Sequence, residues 1–243
     1  MKIHAIAPAD LELLKKYDTP TICNVVELFD RGSRTAFYMV RRIHPCFPKL
    51  PPMVGYAATA TFRSAFPPTS GNVYSGLDQQ IAAFAELPGP PVVVFQDLDT
   101  PVMAATFGEI MCTTYKSFGA AGLITSGAAR DLDQVEAICF PCFADGVICA
   151  HGYCHILQVG VPVHVGGVQV TPGLILHGDR NGVTTIANEI ASEVAHACAE
   201  YMAAEQLVLD YLKTPNINPK GYGEARMECK NRIDALAKRL KGK

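Results

Sequence analysis

Hydrophobic positions follow three regimes along the chain: helical spacing near the start, continuous apolar runs in the middle, and short glycine-broken runs beyond residue 142. The first regime predicts helices over 8–17 and 20–29. Thr19 is placed to cap the second, with Pro20 filling the first helical position. Pro- and Gly-rich stretches at 44–55 and 66–72 read as loops around a strand at 55–63. Leu77, Ile81 and Phe84 recur at helical spacing, and the Leu87-Pro-Gly-Pro-Pro run ends that helix. Residues 91–97 form an uninterrupted apolar run, the pattern of a strand covered on both faces. A helix over 108–118 and a second strand over 122–125 complete a β–α–β unit, which implies parallel pairing and a right-handed crossover.

From Cys142 to Ile186 the pattern predicts an all-β half with tight turns, its strands at 146–150, 161–165, 168–170, 174–177 and 183–186. A long helix follows over 188–213, with Ile190, Val194, Tyr201, Val208 and Leu212 in one stripe. The chain then turns polar and ends in a basic helix over 222–240. We read 1–213 as one domain and 214–243 as an appendage that packs on a neighbouring surface or subunit.

Composition narrows the class. The chain has 243 residues, 49% of them hydrophobic and 18% charged, enough to bury a substantial core. A net charge of −2 gives no bulk electrostatic reason to expect a nucleic-acid partner. No segment approaches the roughly 20 apolar residues of a membrane span, and no secretory leader is visible at the N-terminus. Nine cysteines lack a repeated spacing. They are expected to be reduced, mostly buried thiols of a cytoplasmic protein, and Cys139 and Cys142 are not expected to form a zinc or redox pair.

Four features carry candidate chemistry. Ser126-Gly-Ala-Ala-Arg-Asp131 follows a predicted strand, where ligand sites of α/β folds gather. Arg130 offers a planar fork to a carboxylate or enolate oxygen, and Asp131 a hard oxygen ligand for Mg²⁺ or Mn²⁺. Phe107-Gly-Glu-Ile-Met111 opens the crossover helix, whose free N–H groups suit an anion, and places Glu109 in the first turn. Glu205 falls inside the apolar stripe of the long helix, where a carboxylate is costly unless paired or directed at a polar cavity. The glycine-rich text at 162–173 and 178–183 says more about fold than about chemistry.

In this order the motifs Gly-Glu109, Gly-Ala-Ala-Arg-Asp131, Pro162-Val-x-x-Gly-Gly-Val-x-Val-x-Pro-Gly173 and Asp179-x-Asn-Gly-Val183 resemble one family. It holds the regulator of ribonuclease E activity A and the bacterial 4-hydroxy-4-methyl-2-oxoglutarate/4-carboxy-4-hydroxy-2-oxoadipate aldolases. The resemblance covers about residues 11–212. It implies an α/β/β layered fold of the swivelling-domain type, assembled as a trimer or a dimer of trimers with the site between subunits. It further implies a divalent metal, Mg²⁺ or Mn²⁺, bound by Asp131, with Glu109 and Glu205 of a neighbouring subunit holding metal-bound water. Arg130 would orient a small 2-oxo acid and stabilise its enolate, Ile110 and Met111 would offer backbone N–H groups to its carboxylate, and Asn72 would stand near the pocket. The implied activity is a pyruvate-forming aldolase with oxaloacetate decarboxylation as a companion reaction. No glycine-rich cofactor motif of a methyltransferase is present.

Three departures stand out. Gln134 occupies the position where the aldolases carry an acidic residue, Leu174 replaces the aspartate of Pro-Gly-Asp, and His151-Gly-Tyr-Cys-His155 is foreign to the family. Both histidines are read as solvated loop residues, with contact to the substrate as the alternative. The competing class is a non-catalytic regulator that binds a ribonuclease or another protein, with the C-terminal appendage as a docking element.

Overall fold

The computed structural model describes residues 3–30, 32–72 and 75–241. Its first part runs α1 (Pro8–Leu14), α2 (Thr19–Glu27), β1 (His44–Pro45), β2 (Met53–Arg63), α3 (Leu77–Ala82) and a 3-10 turn (Ala83–Glu86). The middle runs β3 (Pro91–Asp97), β4 (Ala105–Phe107), α4 (Glu109–Ser117), β5 (Gly122–Thr125), β6 (Ala128–Ala129), α5 (Leu132–Ala137) and β7 (Cys142–Ala144). The last part runs β8 (His155–Val159), β9 (Val163–Val165), β10 (Val168–Val170), β11 (Ile175–Asp179), β12 (Gly182–Ile186), α6 (Ala191–Tyr211) and α7 (Pro219–Leu240).

Strand β3 explains the layering. Its alternate side chains point to opposite faces, and both faces are buried. Val93 and Phe95 join a core with Phe107, Met111, Tyr115, Leu123 and Val135, beneath α4 and α5. Val92 and Val94 join another with Ile124, Phe143, Val163, Val165, Val168 and Val170, so the β9–β10 hairpin covers the other side. Helices, sheet and hairpin therefore stack as α/β/β. The sheet has eight strands in the order β1-β7-β5-β3-β2-β11-β12, with β8 also pairing to β2. The pairs β2–β3, β3–β5 and β5–β7 are parallel, and the flanking pairs are antiparallel. The parallel pairing expected for the β–α–β unit is present.

A third core lies under α1, α2, α6 and α7, where Leu14, Ile22, Val25, Val194 and Cys198 meet Val54, Tyr56 and Ile175. Polar ties fix these helices to the sheet. Buried His177 on β11 hydrogen-bonds Thr19 Oγ1 through Nδ1 at 3.0 Å, and its Nε2 donates to the Leu14 carbonyl at 3.2 Å. Burial lowers the pKa of this imidazole, so it sits neutral in the core. Asp179 accepts the Thr19 N–H at 3.0 Å.

Several elements differ from the sequence reading. Asp18, not Thr19, caps α2 by accepting the Thr21 N–H at 2.9 Å. Thr19 is instead the first helical residue, because its N–H and hydroxyl are claimed by Asp179 and His177. Residues 146–150 form no strand, only a single bridge from Val147 to Ala129. Helix α5 and strand β8 were not expected. The first is one and a half turns long, too short to show a period, and the second carries exposed Leu157 and Gln158 in place of clean alternation. The C-terminal helix begins earlier than expected, at Pro219, where Asn218 caps it. It folds back along its own chain's α6, with Leu236 and Leu240 in the third core and Arg239 bonded to Glu200 at 2.7 Å.

Asn188 joins three separate segments. Its Oδ1 accepts the Ile175 N–H at 3.0 Å, and its Nδ2 donates to the carbonyls of His4 at 3.0 Å and Gly173 at 2.8 Å. Alanine there strands buried backbone groups at about 1–3 kcal/mol each. We expect Asn188→Ala to lose about 3 kcal/mol, read as a lower urea midpoint at unchanged slope.

Candidate functional site

The site grows from two short parallel strands, β4 and β6, that pair beside the main sheet. Their approach depends on Gly127. A Cβ there would collide with Thr106 Oγ1 and lie 2.6 Å from Asp97 Oδ2. After β6 the Arg130 N–H reaches the Phe107 carbonyl at 3.2 Å. Asp131 then adopts the left-handed conformation, φ 54°, which aspartate tolerates better than most side chains. That turn brings Asp131 Oδ2 to the N–H of Glu109 at 3.0 Å, and Arg130 Nε lies 3.6 Å from the same oxygen. The carboxylate thus caps α4 from a distant segment and is itself held by its neighbour's guanidinium. Gly108 makes room for this. A Cβ at Gly108 would collide with Asp131 Oδ2 and sit 2.9 Å from Arg130 Nε.

A small cavity opens here, lined by Thr106, Gly108, Ile110, Met111, Arg130 and His151 among others. Its volume, about 10 Å³, is roughly the room of one water. It is open, and Ile110 is 76% exposed at the rim. The first α4 turn directs the N–H groups of Ile110 and Met111 outward from the helix end, while the helical ladder begins with Cys112 N–H to Gly108. An anionic group there would meet two backbone donors and a guanidinium.

The donor set suits a hard divalent cation in part. Asp131 has one oxygen engaged by the Glu109 N–H, and its other oxygen can serve as a ligand, with Glu109 exposed in the adjacent turn. Mg²⁺ held by one or two carboxylates and several waters is a common arrangement. Among the described residues of one chain, no group of three or more His, Cys, Asp or Glu side chains is clustered for metal binding.

The other candidate residues lie apart. Glu205 sits on α6, half-buried, hydrogen-bonded to Tyr201 and near Asp18. Burial raises its carboxyl pKa, with the Tyr201 hydrogen bond opposing and Asp18 adding. It belongs to the face of α6 that carries Tyr201, not to the cavity of its own chain. Asn72 is exposed in the loop before α3, where its carbonyl accepts the Ser75 N–H; it does not line the cavity. Gln134 is exposed on α5. Cys139 is exposed and Cys142 buried, so the two do not form an accessible dithiol.

One of the two histidines departs from its expected setting. His155 is buried, its Nδ1 bonded to the Tyr153 carbonyl at 2.7 Å. His151 is exposed but lines the cavity with Arg130. The sequence reads both as loop residues; the fold puts His155 at the start of β8 and leaves His151 in the loop before it.

A larger cleft of about 550 Å³ lies at the carboxyl ends of β3, β5 and β7, with Asp97, Asp99, Ser126 and Asp145 in its wall. Asp99 is committed to the N–H groups of Ser64 and Ala65 and to Arg63, and Asp145 to Arg42. Asp97 accepts the Asp99 N–H through Oδ1, while its Oδ2 is buried without a partner. Burial pushes the Asp97 carboxyl up to about 6, opposed by the Asp99 N–H and reinforced by the Asp99 charge.

Comparison with known proteins places this geometry in a class. The model of the RraA-like family, described as Aldolase/RraA, matches residues 19–185, and the chain belongs to that family. It is 34% identical over 106 residues to a protein of Halalkalibacterium halodurans named "Putative 4-hydroxy-4-methyl-2-oxoglutarate aldolase". That match covers 43% of this chain and 50% of the relative. A second match, 33% identical over 91 residues, is to the uncharacterised MJ0644 of Methanocaldococcus jannaschii and covers 37% of this chain and 44% of that one. The chain thus spans half or less of the length of these curated relatives. Among solved structures, an uncharacterised Pseudomonas syringae protein superposes with a TM-score of 0.72 at 19% identity, covering 93% of this chain and 97% of the other. RraAS2 of Streptomyces coelicolor, titled an unusual member of the RNase ES inhibitor RraA protein family, gives 0.66 at 22% identity, covering 83% and 97%. Both share the fold.

Two outcomes follow from this geometry. Gly108→Ala and Asp131→Ala each remove the same helix-capping contact, so each should lose about 1–2 kcal/mol in urea. The double variant should lose no more than the larger single loss, and full additivity would show that the contact is absent in solution. Asp97, with its folded pKa raised above the unfolded value, favours the fold at low pH. That contribution is complete below about pH 4 and fades as pH rises through about 6. Asp97→Asn should therefore gain stability over wild type on going from pH 4 to pH 7, measured as the difference in urea midpoints.

Proposed function

We propose that the protein is a divalent-metal-dependent carbon–carbon lyase that releases pyruvate from a small 4-hydroxy-2-oxo acid and decarboxylates oxaloacetate through the same enolate. The observation that carries this reading is that Arg130 and the first turn of α4 line one cavity, with the Asp131 carboxylate bonded to that turn and beside the guanidinium. The kinship to a protein named as an aldolase supports it at the level of the family.

Cleavage leaves negative charge on the oxygen at C2, and preorganised positive charge at that oxygen lowers the barrier. Arg130 supplies such charge. Its guanidinium is steadied by Asp131, so little reorganisation accompanies the reaction. The N–H groups of Ile110 and Met111 orient the substrate carboxylate at the helix end. Asp131, with Glu109 nearby, would hold a divalent cation, Mg²⁺ or Mn²⁺, which would supply further positive charge to the enolate.

The open cavity and the remote position of Glu205 support a homo-oligomer, trimer or hexamer, in which a neighbour's α6 closes the site. Buried thiols such as Cys112, Cys142 and Cys198 support a cytoplasmic setting. Among the described residues, no helix is long and apolar enough to cross a membrane.

A coupled assay of pyruvate release from oxaloacetate and from 4-hydroxy-4-methyl-2-oxoglutarate, with and without Mg²⁺ or Mn²⁺, tests the reading. Arg130→Ala should reduce kcat/KM by at least about 10³-fold, in the range seen when a charge-stabilising donor is removed. Asp131→Asn should abolish the response to metal. Near-wild-type turnover in either variant ends the lyase proposal, and no pyruvate from the wild-type chain favours a non-catalytic regulator.

A further inference from the structure

The cavity beside α4 has two kinds of wall. One is the Arg130 guanidinium with the first turn of α4, the groups that meet the 2-oxo acid end of the substrate. The other is mostly apolar, built from Ala105, Phe107, Ile110, Met111 and Cys154, with His151 among them. Among the described residues, Arg130 is the one lining side chain with a fixed positive charge. Its Nε lies 3.6 Å from Asp131 Oδ2, so part of that charge is already answered.

The surroundings continue the pattern. Ile110 is exposed at the rim, and Met103 and Tyr153, each within two residues of a lining residue, are exposed as well. Arg63, next to Ser64, is taken by Asp99 at 3.2 Å. The element expected to close the site from a neighbouring chain adds no fixed cation. Helix α6 carries Glu193, Glu200, Glu205 and Asp210 but neither lysine nor arginine, and its exposed side chains include Met202 and Leu209.

The two ends of an aldol substrate therefore meet opposite surroundings. With room for about one water, the cavity leaves the group on C4 over its open rim. A carboxylate there would lose water without gaining a cation and would face the acidic α6, an arrangement that selects against it. An alkyl group would bury apolar surface against Ile110 and its neighbours.

We infer that the substrate is a 4-hydroxy-2-oxo monocarboxylic acid with an apolar group on C4, so that the fragment released beside pyruvate is an uncharged aldehyde; this rests on the lyase reading above. In the cleavage the C3–C4 bond breaks, and its electron pair forms the C2–C3 double bond of the enolate. The C4 hydroxyl gives its proton to solvent and becomes the aldehyde carbonyl. C3 takes a proton from solvent, giving pyruvate. Negative charge stays on the pyruvate side throughout.

The test uses two substrates of matched shape. These are 4-hydroxy-2-oxoglutarate, with a carboxylate on C4, and 4-hydroxy-5-methyl-2-oxohexanoate, with an isopropyl group in its place. Pyruvate release is followed with Mg²⁺ or Mn²⁺ at about pH 8, above the usual imidazole range, with oxaloacetate alongside. We expect kcat/KM for the isopropyl compound to exceed that for the dicarboxylate by at least about tenfold. Ile110→Lys adds a cation at the exposed rim and should shrink that ratio at least about tenfold, whereas Ile110→Met should keep it. Equal or faster cleavage of the dicarboxylate by wild type overturns the inference and leaves the lyase reading standing. Decarboxylation of oxaloacetate with cleavage of neither hydroxy acid does the same. A wild-type preference that Ile110→Lys leaves unmoved also overturns it, because the charge of the rim is then not its source. No pyruvate from any of the three removes the lyase reading and this inference together.

Discussion

The site depends on one contact between distant segments, the Asp131 carboxylate accepting the N–H of Glu109. It joins the end of β6 to the start of α4 and satisfies a donor that a helix start leaves open. It also sets the neighbouring guanidinium beside the first turn of that helix. The contact is possible only because Gly108 and Gly127 carry no side chains to separate the strands and the turn. An aspartate in the left-handed conformation completes it, a local strain of the sort that a surrounding structure must hold in place.

The sheet supplies that rigidity. With both faces of β3 covered, by α4 and α5 on one side and by the β9–β10 hairpin on the other, the strand ends are fixed in depth and in register. The short β4–β6 pair extends from this platform, and the loop carrying His151 is tied to it by the bond from Ala105 to Ala150. Side chains from three segments therefore meet on backbone that cannot readily shift. By contrast, Asp99 and Asp145 in the larger cleft are held by backbone N–H groups and arginines.

The long C-terminal helices serve another part of the molecule. They close the third core over α1 and α2, and their polar ties, Arg239 to Glu200 and Lys241 to Asp30, run within one chain. Glu205 stays with Tyr201 on that face, away from Arg130 of its own chain. In an assembly, a neighbour's helix is the element that could bring this carboxylate to the open rim.

The alternation of covered faces and the glycine punctuation were legible before any coordinates, because period-2 patterning and turn chemistry are local properties of the chain. They set the parallel β3–β5 unit and the hairpins, and the Arg130–Asp131 pair at a strand end was marked by its residue types alone. What escaped was decided by partners far away in sequence. Asp18 caps α2 because Asp179 and His177 claim Thr19, and residues 146–150 remain a loop because their bonds go to β4 and β6 rather than to a neighbouring strand. His151 and His155 looked alike in sequence, yet one ring is buried and the other walls the cavity. Spacing along a chain records what each residue prefers; tertiary contacts alone decide which preference is satisfied, because a buried donor or acceptor must find its partner wherever the fold places one.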